Sequence, residues 1–304
     1  MAEIVIKSNR LRAEILEPGT EYRRQRFDWT GIVSQVELDG KHYFLAKEPE
    51  IFGQIGDGRG LSSCFEAANG FEYMAALTGE YVPRVGVGMV ERKDRSPFSI
   101  FRKTDIKPAD MSYQAGEHEV VFTVEPMECN GYAFLLKKTL RVIENRLETI
   151  YELKNVGEKS LILDEFNHNY TMLDDYEING DYEFSVPYNI KVSPQRGEFS
   201  VGYRTVRVNA YDHFFSFGVE GFEGFSRHSW TIRHRPTDIS YKETLMAPAS
   251  KLFVWGCSTN FCPETYAKIR AVPGQTVSWT RIMEFFGAGE NPCQENRRMK
   301  EDAI

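Results

Sequence analysis

The segment that most limits the fold lies near the C-terminus. In Thr276-Val277-Ser278-Trp279-Thr280-Arg281-Ile282-Met283-Glu284-Phe285, the residues Val277, Trp279, Met283 and Phe285 share one face. Arg281 is the single polar residue on that face. A period of two marks a half-buried strand, because successive side chains point to opposite faces. Upstream, Tyr266–Val272 reads as a second strand and Pro273-Gly274 as a turn, so the two are expected to form a hairpin. Glu119–Val124 and Phe134–Val142 also read as extended. Asn145–Lys154 has helix-compatible spacing at Leu147, Ile150 and Tyr151 but alternates well enough for a strand. With the turn Asn155–Ser160 and the apolar run from Leu161, strand-turn-strand is the more economical reading.

Helical candidates are few. One is Leu61–Leu77, interrupted at Gly70; the other is the polar tail 287–304, read as frayed or as a short helix. No repeat, linker or low-complexity block divides the chain. Many strands and frequent turns therefore predict one all-β domain over 1–286, a large sandwich or barrel, followed by the tail. The 21 Phe, 15 Tyr and 4 Trp suit strands and flat stacking surfaces. Most are expected in the core, among them Trp279, Phe285 and Phe253.

Charge and cysteine usage exclude several function classes. With 44 acidic against 37 basic residues the net charge is −7, which disfavours nucleic acid as a partner. The five cysteines are spread without a CxxC and read as reduced thiols. No apolar run reaches signal-peptide or membrane-span length, so a soluble, cytoplasmic protein with no membrane partner is expected. The six histidines lack HxxxH or HExxH spacing, which argues against a zinc site. The glycine-rich runs 53–58 and 86–88 read as tight turns rather than a dinucleotide site. Asp174-Asp175 reads as a turn with solvated acids.

The most informative stretch is Leu147–Leu173. On a strand starting near Leu161, the residues Asp164, Phe166, His168 and Tyr170 share a face. They form either a polar pocket with stacking walls or a hydrogen-bonded core histidine among packing aromatics. Two more clusters carry paired readings. Tyr22–Phe27 is a basic run flanked by aromatics, read as a solvated strand face with Arg24 and Arg26 on one side. Arg227-His228-Ser229-Trp230 and Arg233-His234-Arg235 form either a guanidinium clamp for an acidic or phosphorylated sugar, or a charged loop before Pro236.

The blocks Tyr151-Glu152-Leu153-Lys154-Asn155-Val156-Gly157-Glu158-Lys159 and His168-Asn169-Tyr170-Thr171-Met172-Leu173 resemble the aldose 1-epimerase (galactose mutarotase) family, whose strand reads YEVxNxGDxPLPxNLTxHxYFNL. A second block, Leu252–Gly256, then Cys262-Pro263-Glu264-Thr265, Pro273-Gly274-Gln275 and Trp279, resembles the family's strand with a catalytic glutamate. The resemblance implies a large antiparallel β-sandwich of the galactose mutarotase-like type. It implies a small-molecule sugar as partner and chemistry without a metal or redox cofactor. It places the proton donor at His168 and the general base at Glu264. Arg59 matches the family's arginine, and Arg84, Asp164 and Tyr170 are further candidate sugar contacts, with Trp230 and Arg233 from the basic cluster. The family's NxLHGG segment has no counterpart, since the corresponding region, Pro83–Met89, lacks histidine.

Anomer interconversion explains the residue types. One group takes the proton of the C1 hydroxyl while another protonates the ring oxygen, and the opened aldehyde rotates before closure. A histidine, with an unperturbed pKa of about 6.5, suits the acid role, and an ionised glutamate the base role.

Overall fold

The computed structural model describes residues 3–50, 56–67 and 70–290. Among these there is no α-helix, and the strands form two ten-stranded sheets and one of three. The first sheet runs Glu3–Lys7, Leu11–Leu16, Val33–Leu38, Leu61–Ala67, Leu161–Asn169, Asn260–Ala271, Ala249–Cys257, Phe215–Glu220 and Lys191–Arg196, with His42–Tyr43 beside Val33–Leu38. The second runs Glu198–Val201, Thr205–Ala210, Tyr182–Ser185, His228–His234, Ile239–Met246, Thr276–Phe286, Arg146–Asn155, Phe134–Ile143, Glu119–Val124 and Met111–Ala115. Tyr81–Arg84, Gly88–Glu91 and Ile106–Pro108 make the small sheet, with Gly86 and Gly88 at positive φ in its first turn. The chain is thus an all-β, antiparallel sandwich.

Two expectations change, and a third lies outside the described residues. The strands around Pro273-Gly274 are not a hairpin. Asn260–Ala271 pairs with Leu161–Asn169 and Ala249–Cys257 in the first sheet, while Thr276–Phe286 pairs with Arg146–Asn155 and Ile239–Met246 in the second. The turn crosses between sheets, as does the loop from Arg146–Asn155 to Leu161–Asn169. Asn155 ties the two crossings together: its Nδ2 donates to Ala271 O and Lys159 O, and its backbone N–H donates to Gln275 O. Alternation reports which face is buried but not which strand lies alongside. The helix candidate is a strand, Leu61–Ala67, followed by a 3₁₀ turn at Gly70–Glu72. Strand pairing on both sides overrides a composition that favours helix. The tail 291–304 lies outside the described residues; just before it, Glu290 pairs with Arg10 at 2.7 Å.

The aromatic excess lies mostly between the sheets. Tyr241 stacks on Phe285 and Tyr151 on Trp279, with ring centroids 5.0 and 4.7 Å apart. Phe253 departs from the expectation: it is half-buried on the other face of its strand, under Lys251. Two charge clusters are also buried between the sheets. Lys138 Nζ reaches Asp28, Thr30 O and Ser63 Oγ. Arg281, fully buried, bonds Glu165 and Glu243. This is the polar residue that interrupts the apolar face of its strand. Buried charge persists only when paired and hydrogen-bonded, as here. No helix among the described residues is long and apolar enough to cross a membrane.

Candidate active site

The site is built on three adjacent strands of the first sheet. Along Leu161–Asn169 the odd residues Leu163, Glu165, Asn167 and Asn169 face the second sheet, while Asp164, Phe166 and His168 face outward. Asp164 lies opposite Lys268 on Asn260–Ala271. Continuing that register sets Phe166 against Tyr266 and His168 against Glu264. Both contacts are present: the Phe166 and Tyr266 rings stack at 4.2 Å, and His168 Nε2 lies 3.0 Å from Glu264 Oε1. On the far side Glu264 faces Phe253. The outer face is covered here, so the burial pattern of Leu161–Asn169 changes from alternating to continuous from Glu165 onward.

The His–Glu pair is nearly closed off, each side chain 7 % exposed. Tyr266 donates its hydroxyl to Glu264 Oε2 at 2.9 Å. The imidazole stacks on Tyr170 at 4.2 Å and 10°, with Phe27 and Trp255 edge-on. His168 Nδ1 and the Tyr170 hydroxyl are buried without a hydrogen-bond partner. Burial holds the Tyr170 phenol protonated, its pKa well above the ordinary value. Two unpartnered polar atoms beside the His–Glu pair leave hydrogen-bonding capacity for a polar ligand.

Sequence reasoning missed several residues around this pair. Tyr22–Phe27 is not a strand, and Arg26 is not solvated. Its guanidinium is buried over the Phe27 ring and is bound by both oxygens of Glu48, at 2.9 and 3.0 Å. Burial opposes the Glu48 carboxylate, but Arg26, together with His168 and the Gly58 N–H, outweighs it and holds the pKa below the usual value. Glu48 also accepts the Gly58 N–H, fixing the segment that packs on Tyr170. The available signal was the basic, aromatic-flanked run; its burial depends on a partner 22 residues away.

The structure gathers some of the expected contacts and scatters others. Tyr170 touches His168. Arg84 is buried nearby, its guanidinium donating to Gln25 O, Arg26 O and Cys64 Sγ. It lines a cavity of about 450 Å³ with Glu66, Phe71, Tyr73, Phe98 and Phe101. Glu66 is raised in pKa by burial, and burial pushes the Cys64 thiol up to about 11. Asp164 shares the outer face but accepts from Ser250 and sits 3.8 Å from Arg270. Arg59 pairs with Glu21 at 2.6 Å. Trp230 and Arg233 are not brought to the pair. Trp230 is buried between the sheets, donating to Thr265 Oγ1, and Arg233 pairs with Asp238 at the surface. Their segment is the strand His228–His234 rather than a loop or clamp. Asp174 lies in a turn, as expected, but its carboxylate holds His42 and the Tyr43 N–H.

No family model and no curated protein sequence matches the chain. Solved structures do. A galactose mutarotase related enzyme from Lactobacillus acidophilus aligns at TM-score 0.58 and 11 % identity, covering 95 % of this chain and 99 % of that one. A galactose mutarotase-like protein from Lactobacillus casei aligns at TM-score 0.57 and 13 % identity over 94 % and 100 % of the two chains. An Escherichia coli K12 protein provisionally assigned as an aldose 1-epimerase aligns at TM-score 0.60 and 12 % identity over 94 % and 99 %. The fold is therefore the galactose mutarotase-like β-sandwich, at low sequence identity to these neighbours.

Proposed function

We propose that this protein is an aldose 1-epimerase-like enzyme that interconverts the α and β anomers of a sugar. The observation that carries the reading is the His168–Glu264 pair, 3.0 Å apart on the covered outer face of the sheet. The sugar enters between the two side chains: Glu264 Oε1, exchanging His168 Nε2 for the C1 hydroxyl, takes its proton, while Oε2 stays held by Tyr266. His168, as imidazolium, delivers its Nε2 proton to the ring oxygen, and the C1–O5 bond breaks. The aldehyde rotates about C1–C2 and the steps reverse. Tyr170 fixes the imidazole plane throughout. The cavity with aromatic walls and the polar heads of Arg84 and Glu66 is lined by neither His168 nor Glu264, but Glu66 interacts electrostatically with Glu264, and this cavity is the seat proposed for the rest of the sugar. General acid–base catalysis of this kind contributes about 100- to 10,000-fold.

Exchange spectroscopy by NMR on a panel of aldoses, uronates and sugar phosphates tests the reading. His168→Asn and Glu264→Gln should each remove most of the enhancement. Equilibration no faster than in buffer across the panel would sink it. A second reading, sugar binding without turnover, is favoured by the lack of histidine in Pro83–Met89. Calorimetric binding without rate enhancement would select that reading.

A further inference from the structure

The two strands that carry the acid–base pair are not held together there by an ordinary ladder. Pairing between Leu161–Asn169 and Asn260–Ala271 runs from Leu161 opposite Ala271 to Glu165 opposite Ala267, stops, and resumes as a single bridge at Thr171 and Phe261. Phe261 N–H donates to Thr171 O, so positions facing each other at odd numbers of the first strand are the hydrogen-bonding ones. By that register the interruption falls at Asn167 opposite Thr265 and Asn169 opposite Pro263. These two positions flank His168 and Glu264.

Pro263 accounts for part of the interruption. Proline has no N–H to donate and is ordinarily confined to edge strands, yet this strand has neighbours on both sides. Asn169 O, which that N–H would have served, accepts a 3.4 Å contact from Thr171 Oγ1. Side chains take over the remaining backbone groups. Asn169 Nδ2 donates to Pro263 O at 2.6 Å, and Arg281 Nη2 donates to Thr265 O at 2.7 Å and Glu165 O at 3.0 Å. The Pro263 and Thr265 carbonyls lie on either side of Glu264. Asn169 is itself fixed by Glu243 and Tyr241, and Arg281 by Glu165 and Glu243.

We propose that Pro263, Asn169 and Arg281 are positioning residues, which replace the backbone ladder at the His168–Glu264 pair and set its geometry, Arg281 acting from the opposite sheet. The separation of acid and base is then fixed by a guanidinium and an amide rather than by strand spacing. The catalytic consequence rests on the proposed anomer exchange; the geometric claim does not.

Pro263→Ala tests it, because it adds an N–H facing Asn169 O with little change in volume. Asn169→Asp is the second variant, exchanging the donor to Pro263 O for an acceptor. Both are compared with the wild type by NMR of the His168 imidazole, assigned by loss of the signal in His168→Asn, and by its pH titration. The expected result is a displaced or lost Nε2–H resonance and a changed titration in folded variants. Where anomer exchange is measurable, kcat should fall ten- to a hundredfold with KM within about twofold, the cost of a misplacement near 1 Å. An unchanged His168 resonance and titration in a folded variant would overturn the proposal. Loss of the fold in both variants would also overturn it, since the interruption would then serve folding rather than placement. If the wild type exchanges no anomer, the proposed function fails while the imidazole spectra still decide the geometric claim.

Discussion

Replacing Arg281 by methionine isolates the energetics beneath the site. The guanidinium is fully buried and every nitrogen is used: Nε on Glu165, Nη1 on Glu243, and Nη2 on Glu165 together with the carbonyls of Glu165 and Thr265. Methionine fills similar space but leaves two carboxylates and two carbonyls in a dry interior. Removing one partner of a buried ion pair costs about 3–5 kcal/mol, and each stranded acceptor adds about 1–3. The terms overlap, so a loss of about 4–6 kcal/mol at pH 7 is expected from urea unfolding. The loss should depend on pH. Burial already raises Glu243 above its ordinary 4.5, with Arg281 the main opposing influence. Without Arg281 the folded pKa rises further. A raised carboxyl costs nothing below the unfolded value, destabilises progressively as pH climbs from the unfolded value to the folded one, and its cost is complete above the folded one. The deficit should therefore shrink between pH 7 and pH 5. Adding Glu165→Gln and Glu243→Gln should recover much of it, because neutral partners need no counter-charge. A deficit under about 1 kcal/mol, with no pH dependence, would refute the claim that this network is desolvated.

Three further outcomes follow from the site. Gly58→Ala should displace Tyr170, because a Cβ there overlaps the tyrosine ring and hydroxyl; His168 loses its stacking partner and anomer exchange should drop at least tenfold, read by NMR. Glu48 is held below its usual value by Arg26, so its stabilisation is complete above about pH 4.5 and disappears as pH falls through the lower folded pKa. Denaturant titrations of Glu48→Gln should accordingly show a weaker stability loss between pH 5 and pH 3 than the wild type. Cys64 and Cys262, buried and raised in pKa, should resist iodoacetamide at pH 8 in the folded protein and react after unfolding, as peptide mass mapping would show.

The fold class was legible from a local property. Period-two burial in Thr276–Phe285 and Phe134–Val142 follows from the pleat, so residue pattern alone reports strands and their buried faces. The same rule placed Asp164, Phe166 and His168 on one face, where the structure has them. Resemblance supplied Glu264 as partner to His168, a pairing across 96 positions that no local rule carries.

What only the tertiary structure decided is non-local. The turn at Pro273-Gly274 joins two sheets rather than two neighbours in one, because each strand finds its partners elsewhere in the chain. Arg281, an oddity on an apolar face, becomes intelligible once Glu165 and Glu243 surround it. Trp230, a candidate stacking surface in the sequence, ends between the sheets, bonded to the residue after Glu264. Arg26 changes from a surface charge to a buried one by meeting Glu48. In each case composition and spacing fix the chemistry of one side chain. Its role depends on which distant group compensates its charge or hydrogen bonds, and folding alone brings that group into contact.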